Sequence, residues 1–175
     1  MKRVFFVGIF LAVLGFSVLV RAELQNNGNN LIYDTDLDIT WYNPDMPAMN
    51  WHQATAWAES LRIGGVMGWR LPSALNRDGS CPLYGYEVVG SELGYLYYEE
   101  LSNALRGPLV NTAPFSNLRP VLYWTSTVTE KYTGNAFAFN LNNGKQGHAD
   151  KSLTADISVI AVHSGKISAV DPMLR

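Results

Sequence analysis

Three alternating aspartates are the first candidate metal ligands in the sequence. Asp34, Asp36 and Asp38 have the spacing found at the start of a calcium loop, whose acidic residues supply oxygen ligands. Ile39, however, occupies the position where such a loop needs glycine, and no glutamate closes the loop twelve positions in. Aspartates also favour tight turns. We therefore predict a hairpin turn over residues 34–38 and keep a metal site as the alternative.

Three further groups carry reactive side chains. His148 and Asp150 could provide two metal ligands, but the sequence offers no obvious third. Glu99 and Glu100 form a carboxylate pair, yet adjacent helical residues diverge by about 100° and cannot flank one glycosidic bond. Cys81 is the single cysteine, so it is either a buried thiol or an exposed one available for intermolecular pairing.

Motifs of the well-known catalytic classes are absent from the sequence. It contains no Gly-x-Ser-x-Gly elbow, no His-x-x-x-His pair, no phosphate-binding loop and no dinucleotide fingerprint. We therefore predict a non-enzymatic protein with no cofactor and no metal site. An enzyme with an unrecognised site is the less favoured alternative.

Aromatic and arginine side chains are better candidates for binding a ligand. Three tyrosines fall in predicted loops, where an exposed ring could stack on a sugar face: Tyr84, Tyr86 and Tyr132. Arg77 and Arg119 are the candidate polar contacts. The tryptophans at positions 41, 51, 69 and 124 fall in predicted strands, helices or turns, and we assign them to the core.

The charge balance limits the choice of partner. The formal charge is −2, and it becomes −5 without residues 1–22, which carry three basic residues and no acidic one. An acidic chain lacks the basic surface that nucleic acids require. The same balance disfavours a strongly sulfated polymer unless Arg77, Arg106 and Arg119 cluster. We expect a glycan, another cell-surface polymer or a protein as partner.

Residues 1–22 have the pattern of an export signal. Two basic residues precede an apolar or small run over residues 4–20, and small residues at positions 20 and 22 suit cleavage before Glu23. Because the run is slightly long, an uncleaved N-terminal anchor is the alternative. No second run approaches the length of about 20 residues that spans a bilayer. We expect export to the periplasm or cell surface, with no membrane span after cleavage.

The elements that position these residues are those of an α+β domain over residues 31–164. Asn50 and Gln53 form a capping box before a helix over residues 51–61, which Gly64-Gly65 should end. A second helix should begin after Ser91 and bury a stripe that reaches Leu105, stopping at Gly107-Pro108. Between them, residues 73–90 form a long loop. Strands are predicted at 31–33, 39–42, 121–127, 136–141 and 157–162, between a loose polar lead-in at 23–30 and a C-terminal tail at 165–175.

The segment of residues 64–73 joins the first helix to the long loop. Its sequence is Gly-Gly-Val-Met-Gly-Trp-Arg-Leu-Pro-Ser, a composition that suits a tight buried crossover. We predict a structural role for Trp69, Arg70 and Pro72, with the guanidinium bracing loop carbonyls. Trp124 and Ser126 belong to the same structural set.

The order of several short motifs resembles a known family, the exported bacterial domains grouped with the C-terminal domain of the Legionella collagen-like protein. The motifs are Leu-Ile-Tyr-Asp at 31–34, Ile-Thr-Trp at 39–41, Gly-Trp-Arg-Leu-Pro-Ser at 68–73, Gly-Ser-Glu-Leu-Gly-Tyr-Leu-Tyr-Tyr at 90–98 and Tyr-Trp-Thr-Ser-Thr at 123–127. The resemblance implies a C-type-lectin-like fold, with two helices packed on a twisted, mainly antiparallel sheet, related to that of formylglycine-generating enzymes. The family's collagen-like member is an adhesin associated with glycosaminoglycan binding.

This chain departs from those relatives in three respects. It lacks collagen repeats, the cysteine pair of formylglycine-forming oxidases, and the Glu-Pro-Asn or Gln-Pro-Asp calcium motif of sugar-binding lectins. Asn43-Pro44-Asp45 is a partial match in the wrong place, before the first helix. We therefore expect an adhesin-like binding domain that needs no calcium. The alternative is a structural subunit of a surface assembly that binds protein, with Cys81 as a candidate contact.

Overall fold

Helices and strands are both present in the part of the chain that the computed structural model describes, residues 23–154 and 157–168. The strands are β1 (Leu24–Gly28), β2 (Leu31–Asp34), β3 (Ile39–Tyr42), β4 (Leu122–Val128), β5 (Asn135–Asn140), β6 (Lys145–Asp150), β7 (Ile157–Ser158) and β8 (Ala161–Ser164). The helices are α1 (Trp51–Ser60) and α2 (Glu92–Tyr95), which a π-helical turn, Leu96–Glu100, continues. The α+β class predicted from the sequence is therefore observed.

The described strands form two four-stranded sheets, where the sequence predicted one. The first has the order β1-β2-β3-β8 and is antiparallel throughout. The second has the order β6-β5-β4-β7, with β4 and β7 parallel and the other pairs antiparallel. The predicted export signal at residues 1–22 lies outside the described residues. No helix within those residues is long and apolar enough to cross a bilayer.

Two segments differ from the prediction, and the first, the polar lead-in, does so because backbone pairing does not require apolar side chains. The polar lead-in is not loose: β1 pairs with β2 around a tight turn in which Asn29 and Asn30 adopt φ of 52° and 62°. The strand predicted at 157–162 is divided, since β7 joins one sheet and β8 the other. All six of its residues are buried, as an apolar run on both faces predicts. The start of the predicted tail is also fixed, because Gly165 N donates to Asp38 O at 2.7 Å.

The helices begin where the sequence predicts and end earlier. The capping box of α1 is present, with Asn50 Oδ1 accepting from Gln53 N at 2.9 Å. Helix α1 stops at Ser60, because Gly64 and Gly65 belong to a separate tight turn closed by Ile63 and Val66.

The second helix ends at Glu100, and Leu105, placed in its stripe by the sequence, is exposed. The buried side chain of Asn103 explains the difference. Its Oδ1 accepts from Val110 N and Asn111 N, so it organises the following loop and competes with helical hydrogen bonding.

Strand β4 divides the core into two layers because its side chains alternate between faces. Tyr123 packs in one cluster with Trp41, and with Leu93 and Leu96 of the second helix. Its neighbour Trp124 packs in the other cluster, with Ala54 and Ala58 of α1 and with Trp69 and Leu71. Each face of the second sheet is therefore covered.

The segment of residues 64–73 connects the two sheets. Arg70 exchanges two backbone hydrogen bonds with Val162 of β8, at 3.0 and 2.8 Å. Two residues later, Pro72 O accepts from Ser126 N of β4 at 2.8 Å. Trp69 is only 1% exposed, and its ring lies 5.8 Å from that of Tyr42. Trp69, Leu71 and Pro72 are buried, whereas the glycines and Met67, which is 60% exposed, lie at the surface. The buried crossover that the sequence predicts is therefore confined to the second half of the segment.

Candidate functional site

The loop of residues 73–90 is fixed to the fold at several points. Its first residue donates through Ser73 N to Glu92 Oε2 at 2.7 Å, and Ala74 N donates to Thr127 Oγ1 at 2.9 Å. Near its far end, Gly85 and Gln146 exchange backbone hydrogen bonds of 2.9 and 2.8 Å. The buried side chain of Gln146 also donates to Leu83 O at 2.8 Å. The residues between these points are therefore held in defined positions.

Tyr84 lies between two of these anchors and packs on the outer β hairpin. Its ring centroid is 4.8 Å from that of Phe137 on β5 and 5.8 Å from that of His148 on β6. Phe137 and His148 are direct cross-strand partners. Tyr132 approaches the same histidine from the opposite loop, with ring centroids 5.6 Å apart. Tyr84 and Tyr132 remain 57% and 49% exposed, so three rings share one accessible surface around His148.

Of these rings, Tyr84 and Phe137 line a cleft of about 370 Å³, which we call the aromatic cleft; Tyr132 and His148 lie outside its lining. Its volume falls within the range of about 300–1,000 Å³ typical of small-molecule sites. The lining combines apolar and polar side chains, among them Leu75, Cys81, Tyr84, Glu130, Lys131 and Phe137. A Lys131 ammonium also lies 5.3 Å from the Tyr132 ring centroid. The cleft therefore offers the exposed Tyr84 ring beside groups that can donate or accept hydrogen bonds.

Tyr86 does not join this surface. Its ring packs under the guanidinium of Arg106, with 4.7 Å between the guanidinium carbon and the ring centroid. Neither Tyr86 nor Tyr132 lines the aromatic cleft, but Tyr132 contacts His148 beside Tyr84, whereas Tyr86 packs on Arg106. Of the three loop tyrosines, the structure thus brings together Tyr84 and Tyr132 and leaves Tyr86 with a different partner.

The arginine candidates have separate partners. Arg77 lies over the Tyr95 ring at 4.0 Å and lines a neighbouring cleft of about 510 Å³. Arg119 donates to Met46 O at 2.7 Å and to Ser158 Oγ at 3.0 Å. Arg106 packs on Tyr86, as described above. These side chains contact different elements and do not form one basic patch.

The cleft beside Arg77 has two acidic lining residues, Asp36 and Glu92, and Asp36 interacts with further titratable groups nearby. Tyr95 donates through its hydroxyl to Asp36 Oδ2 at 2.6 Å; burial and this hydrogen bond raise the pKa of Tyr95 to about 12. Burial, together with the charges of Asp34 and Asp36, raises the pKa of Glu100 to about 7. Glu100 Oε1 has no hydrogen-bond partner among the described residues. Protonation of Glu100 near neutral pH therefore relieves its repulsion from the Asp34 and Asp36 carboxylates.

The alternating aspartates form the turn between β2 and β3. Asp34 is fully buried and accepts hydrogen bonds from Trp41 Nε1, Asp36 N and Leu37 N, at 3.2, 3.1 and 2.9 Å. Burial nevertheless raises its pKa above the ordinary value. Asp38 accepts from the Tyr33 hydroxyl at 2.8 Å. These carboxylates brace the hairpin turn, as the turn interpretation predicts.

The second metal candidate contacts other partners. His148 Nδ1 lies 2.7 Å from Asn135 Nδ2, and Asp150 accepts from both the amide and the hydroxyl of Ser152. Within residues 23–154 and 157–168, no group of three or more His, Cys, Asp or Glu side chains could hold a metal ion. Cys81 is exposed at the aromatic cleft.

Sequence reasoning missed Phe137 and Gln146 as residues of this site, and it considered His148 only as a metal ligand beside Asp150. Phe137 was predicted only as part of a strand over residues 136–141, and β6 was not predicted because Gly147 and its polar neighbours give little strand signal. The turn signal at 142–145 was the available hint that a second strand should follow β5.

Comparison with known proteins gives one match. A family model described as the Lcl C-terminal domain matches residues 30–163, most of the chain. No curated protein and no protein of solved structure is similar enough to match.

Proposed function

Because this chain belongs to the Lcl C-terminal domain family, we propose that it is an exported, non-enzymatic binding domain for an extracellular glycan or another cell-surface polymer. The observation that carries the proposal is the convergence of Tyr84 and Tyr132 on His148 beside the aromatic cleft. Exposed rings pay little conformational entropy on binding and offer flat apolar faces. The pattern of residues 1–22 supports export.

The polar rim of the cleft complements the rings. Glu130 and Lys131 lie where the hydroxyls of a sugar stacked on Tyr84 could be bound. The net charge of −5 beyond residue 22, together with three arginines on separate partners, favours a neutral glycan over a strongly sulfated one.

A glycan array probed with the protein tests this function. We expect binding of neutral glycans that persists with a calcium chelator and is lost when Tyr84→Ala and Tyr132→Ala are combined. Tyr86→Ala is the matched control, because Tyr86 packs on Arg106 outside the cleft. Binding that survives the double substitution would remove the aromatic cleft from the proposed site, and binding lost only with chelator would point to a metal.

The exposed thiol favours a second candidate, a structural subunit of a surface assembly that binds protein. Cys81 lines the aromatic cleft and could form an intermolecular disulfide in an oxidising compartment. A dimer on a non-reducing gel that disappears in Cys81→Ser, together with an empty glycan array, would favour this candidate over glycan binding.

We also infer a C-type-lectin-like fold. The mainly antiparallel sheets, two helices and long anchored loop support this assignment. A crystal structure that superimposes on such domains strand by strand would test it, and a different connection order would refute it.

A further inference from the structure

His148 lies at the centre of the exposed aromatic surface, and only one of its two ring nitrogens is hydrogen-bonded within the described residues. The residue is exposed on β6, directly opposite Phe137 of β5. Asn135, two positions before Phe137 on the same face of β5, donates through Nδ2 to His148 Nδ1 at 2.7 Å. His148 Nε2 has no partner among the described residues, so it is available to a ligand.

The hydrogen bond from Asn135 determines which nitrogen of the neutral imidazole carries the proton. An amide nitrogen donates and cannot accept, so His148 Nδ1 must be the acceptor and the proton of the neutral ring lies on Nε2. Asn135 is itself fixed through its main chain, because Asn135 N donates to Tyr132 O at 2.8 Å and Thr129 N donates to Asn135 O at 3.2 Å. The imidazole therefore offers an N–H donor in a fixed orientation.

Two exposed rings flank this donor. The Tyr132 ring centroid lies 5.6 Å from that of His148, with 35° between the ring planes. The Tyr84 ring meets the imidazole edge-on, at 5.8 Å and 86°. A ligand oxygen that accepts from Nε2 would therefore lie close to an apolar ring. The complementary ligand group carries an acceptor oxygen and an apolar part side by side, as the carbonyl and methyl of an acetamido group do.

The charges next to this surface do not favour an anionic ligand. Glu130 and Lys131 precede Tyr132, and Asp150 and Lys151 follow His148, so the formal charges of these four neighbours cancel. A carboxylate or sulfate group would gain little attraction from such a set, whereas a neutral carbonyl needs only the N–H donor. A hydroxyl group could also accept from Nε2, but it brings no apolar part to the tyrosine rings.

We infer that His148 determines the specificity of this surface and selects N-acetylated amino sugars. The acetamido carbonyl accepts from His148 Nε2, and the acetamido methyl packs against the neighbouring tyrosine rings. Asn135 is a positioning residue, since it acts through the imidazole. The inference rests on the function proposed above, because it names the sugar unit that the same exposed rings would recognise.

Calorimetric titration with two matched pairs of sugars tests the inference. Chitotriose and cellotriose differ only in the acetamido group that replaces one hydroxyl of each unit, and N-acetylgalactosamine and galactose differ in the same way. We expect the acetylated member of at least one pair to bind about tenfold more tightly, as one additional hydrogen bond allows. His148→Phe keeps an aromatic ring without the donor and should abolish this preference.

Two further variants complete the binding test. His148→Gln keeps an N–H donor near the position of Nε2 and should retain part of the preference. His52→Phe makes the matched change at an exposed histidine on α1, whose ring contacts Trp51, and should leave the affinities unchanged.

Long-range ¹H–¹⁵N NMR spectra of the free protein test the role of Asn135 without any ligand. We expect the proton of the neutral His148 ring on Nε2. Asn135→Leu should shift the Nδ1 resonance and weaken binding of the acetylated sugar less than His148→Phe does. A neutral ring with its proton on Nδ1, or an Nδ1 resonance that Asn135→Leu leaves unchanged, would overturn the assignment.

The outcomes separate this inference from the proposed function. Equal affinity for both members of each pair, a preference that survives His148→Phe, or a glycan array that shows only neutral glycans without acetamido groups would overturn this inference alone. The absence of binding to any neutral glycan would overturn both.

Discussion

The ion pair between Arg70 and Glu92 should be a main support of the long loop. The guanidinium donates to both carboxylate oxygens, at 2.9 and 2.6 Å, and Ser73 N donates to the same carboxylate at 2.7 Å. The pair thus ties the crossover segment, the first residue of the loop and the start of α2 together. We predict that Glu92→Ala destabilises the protein by about 2–4 kcal/mol.

The predicted loss of stability follows from the three hydrogen bonds that Glu92 accepts and from the partial exposure of the Arg70 and Glu92 side chains. A hydrogen bond to a charged group contributes about 1.5–3 kcal/mol, which would give a larger total if all three were fully buried. The Arg70 and Glu92 side chains are, however, 38% and 16% exposed, so water replaces part of what is lost. Arg70 also keeps a hydrogen bond to Leu71 O at 3.1 Å.

Urea denaturation of the protein, of each single variant and of the double variant Arg70→Ala/Glu92→Ala measures the coupling directly. We expect a coupling free energy of about 1–3 kcal/mol between the two side chains. Glu99→Ala, at an exposed glutamate near the other end of the helical segment, is the matched control and should change stability by less than about 0.5 kcal/mol. A Glu92→Ala cost no larger than that of the control would refute the reasoning.

Three further predictions concern single positions. Trp69→Ala should lower the free energy of unfolding by about 3–5 kcal/mol, because the ring is buried; unchanged thermal stability would place it on a surface instead. Gly94→Ala should destabilise the start of the second helix, since an added Cβ would lie 2.1 Å from Val88 O; an unaltered melting temperature would contradict this packing. The raised pKa of Glu100 means that the folded state holds its proton more tightly than the unfolded state. Its stabilising contribution, complete below pH 4.5, should therefore be lost as pH rises through about 7. After allowance for partial exposure the loss should be about 1–2 kcal/mol. Denaturation of Glu100→Gln should lack this slope, and an identical pH profile would exclude Glu100 as its source.

The features that the sequence predicted are those encoded by neighbouring residues. The capping box at Asn50 and the aspartate turn depend on contacts within a few positions, and both are present. Strands β4 and β5 carry an apolar pattern that is visible without tertiary context. The class of the fold could therefore be predicted.

The remaining features depend on partners distant in the sequence. Strand β1 is polar and exists through its pairing with β2, whereas the second helix stops early because Asn103 binds amides seven and eight residues away. Tyr84 and Tyr132 both contact His148, and this arrangement requires the strand register that sets Phe137 opposite His148. The sequence grouped Tyr86 with these two tyrosines only because all three lie in predicted loops. In the structure Tyr86 packs on Arg106 instead.

The position of β8 in the first sheet has a consequence for the order of events during synthesis. Trp41 lies opposite Val162 on this strand, and the same valine pairs with the backbone of Arg70 beside Trp69. Both tryptophans therefore lack the β8 residues that pack beside them until residues 161–164 have been synthesised. Folds completed by such distant contacts form slowly, and their chains stay open while growing. Since β8 is the last strand in the described part of the chain, the core around both tryptophans cannot close until nearly all of that part has been synthesised.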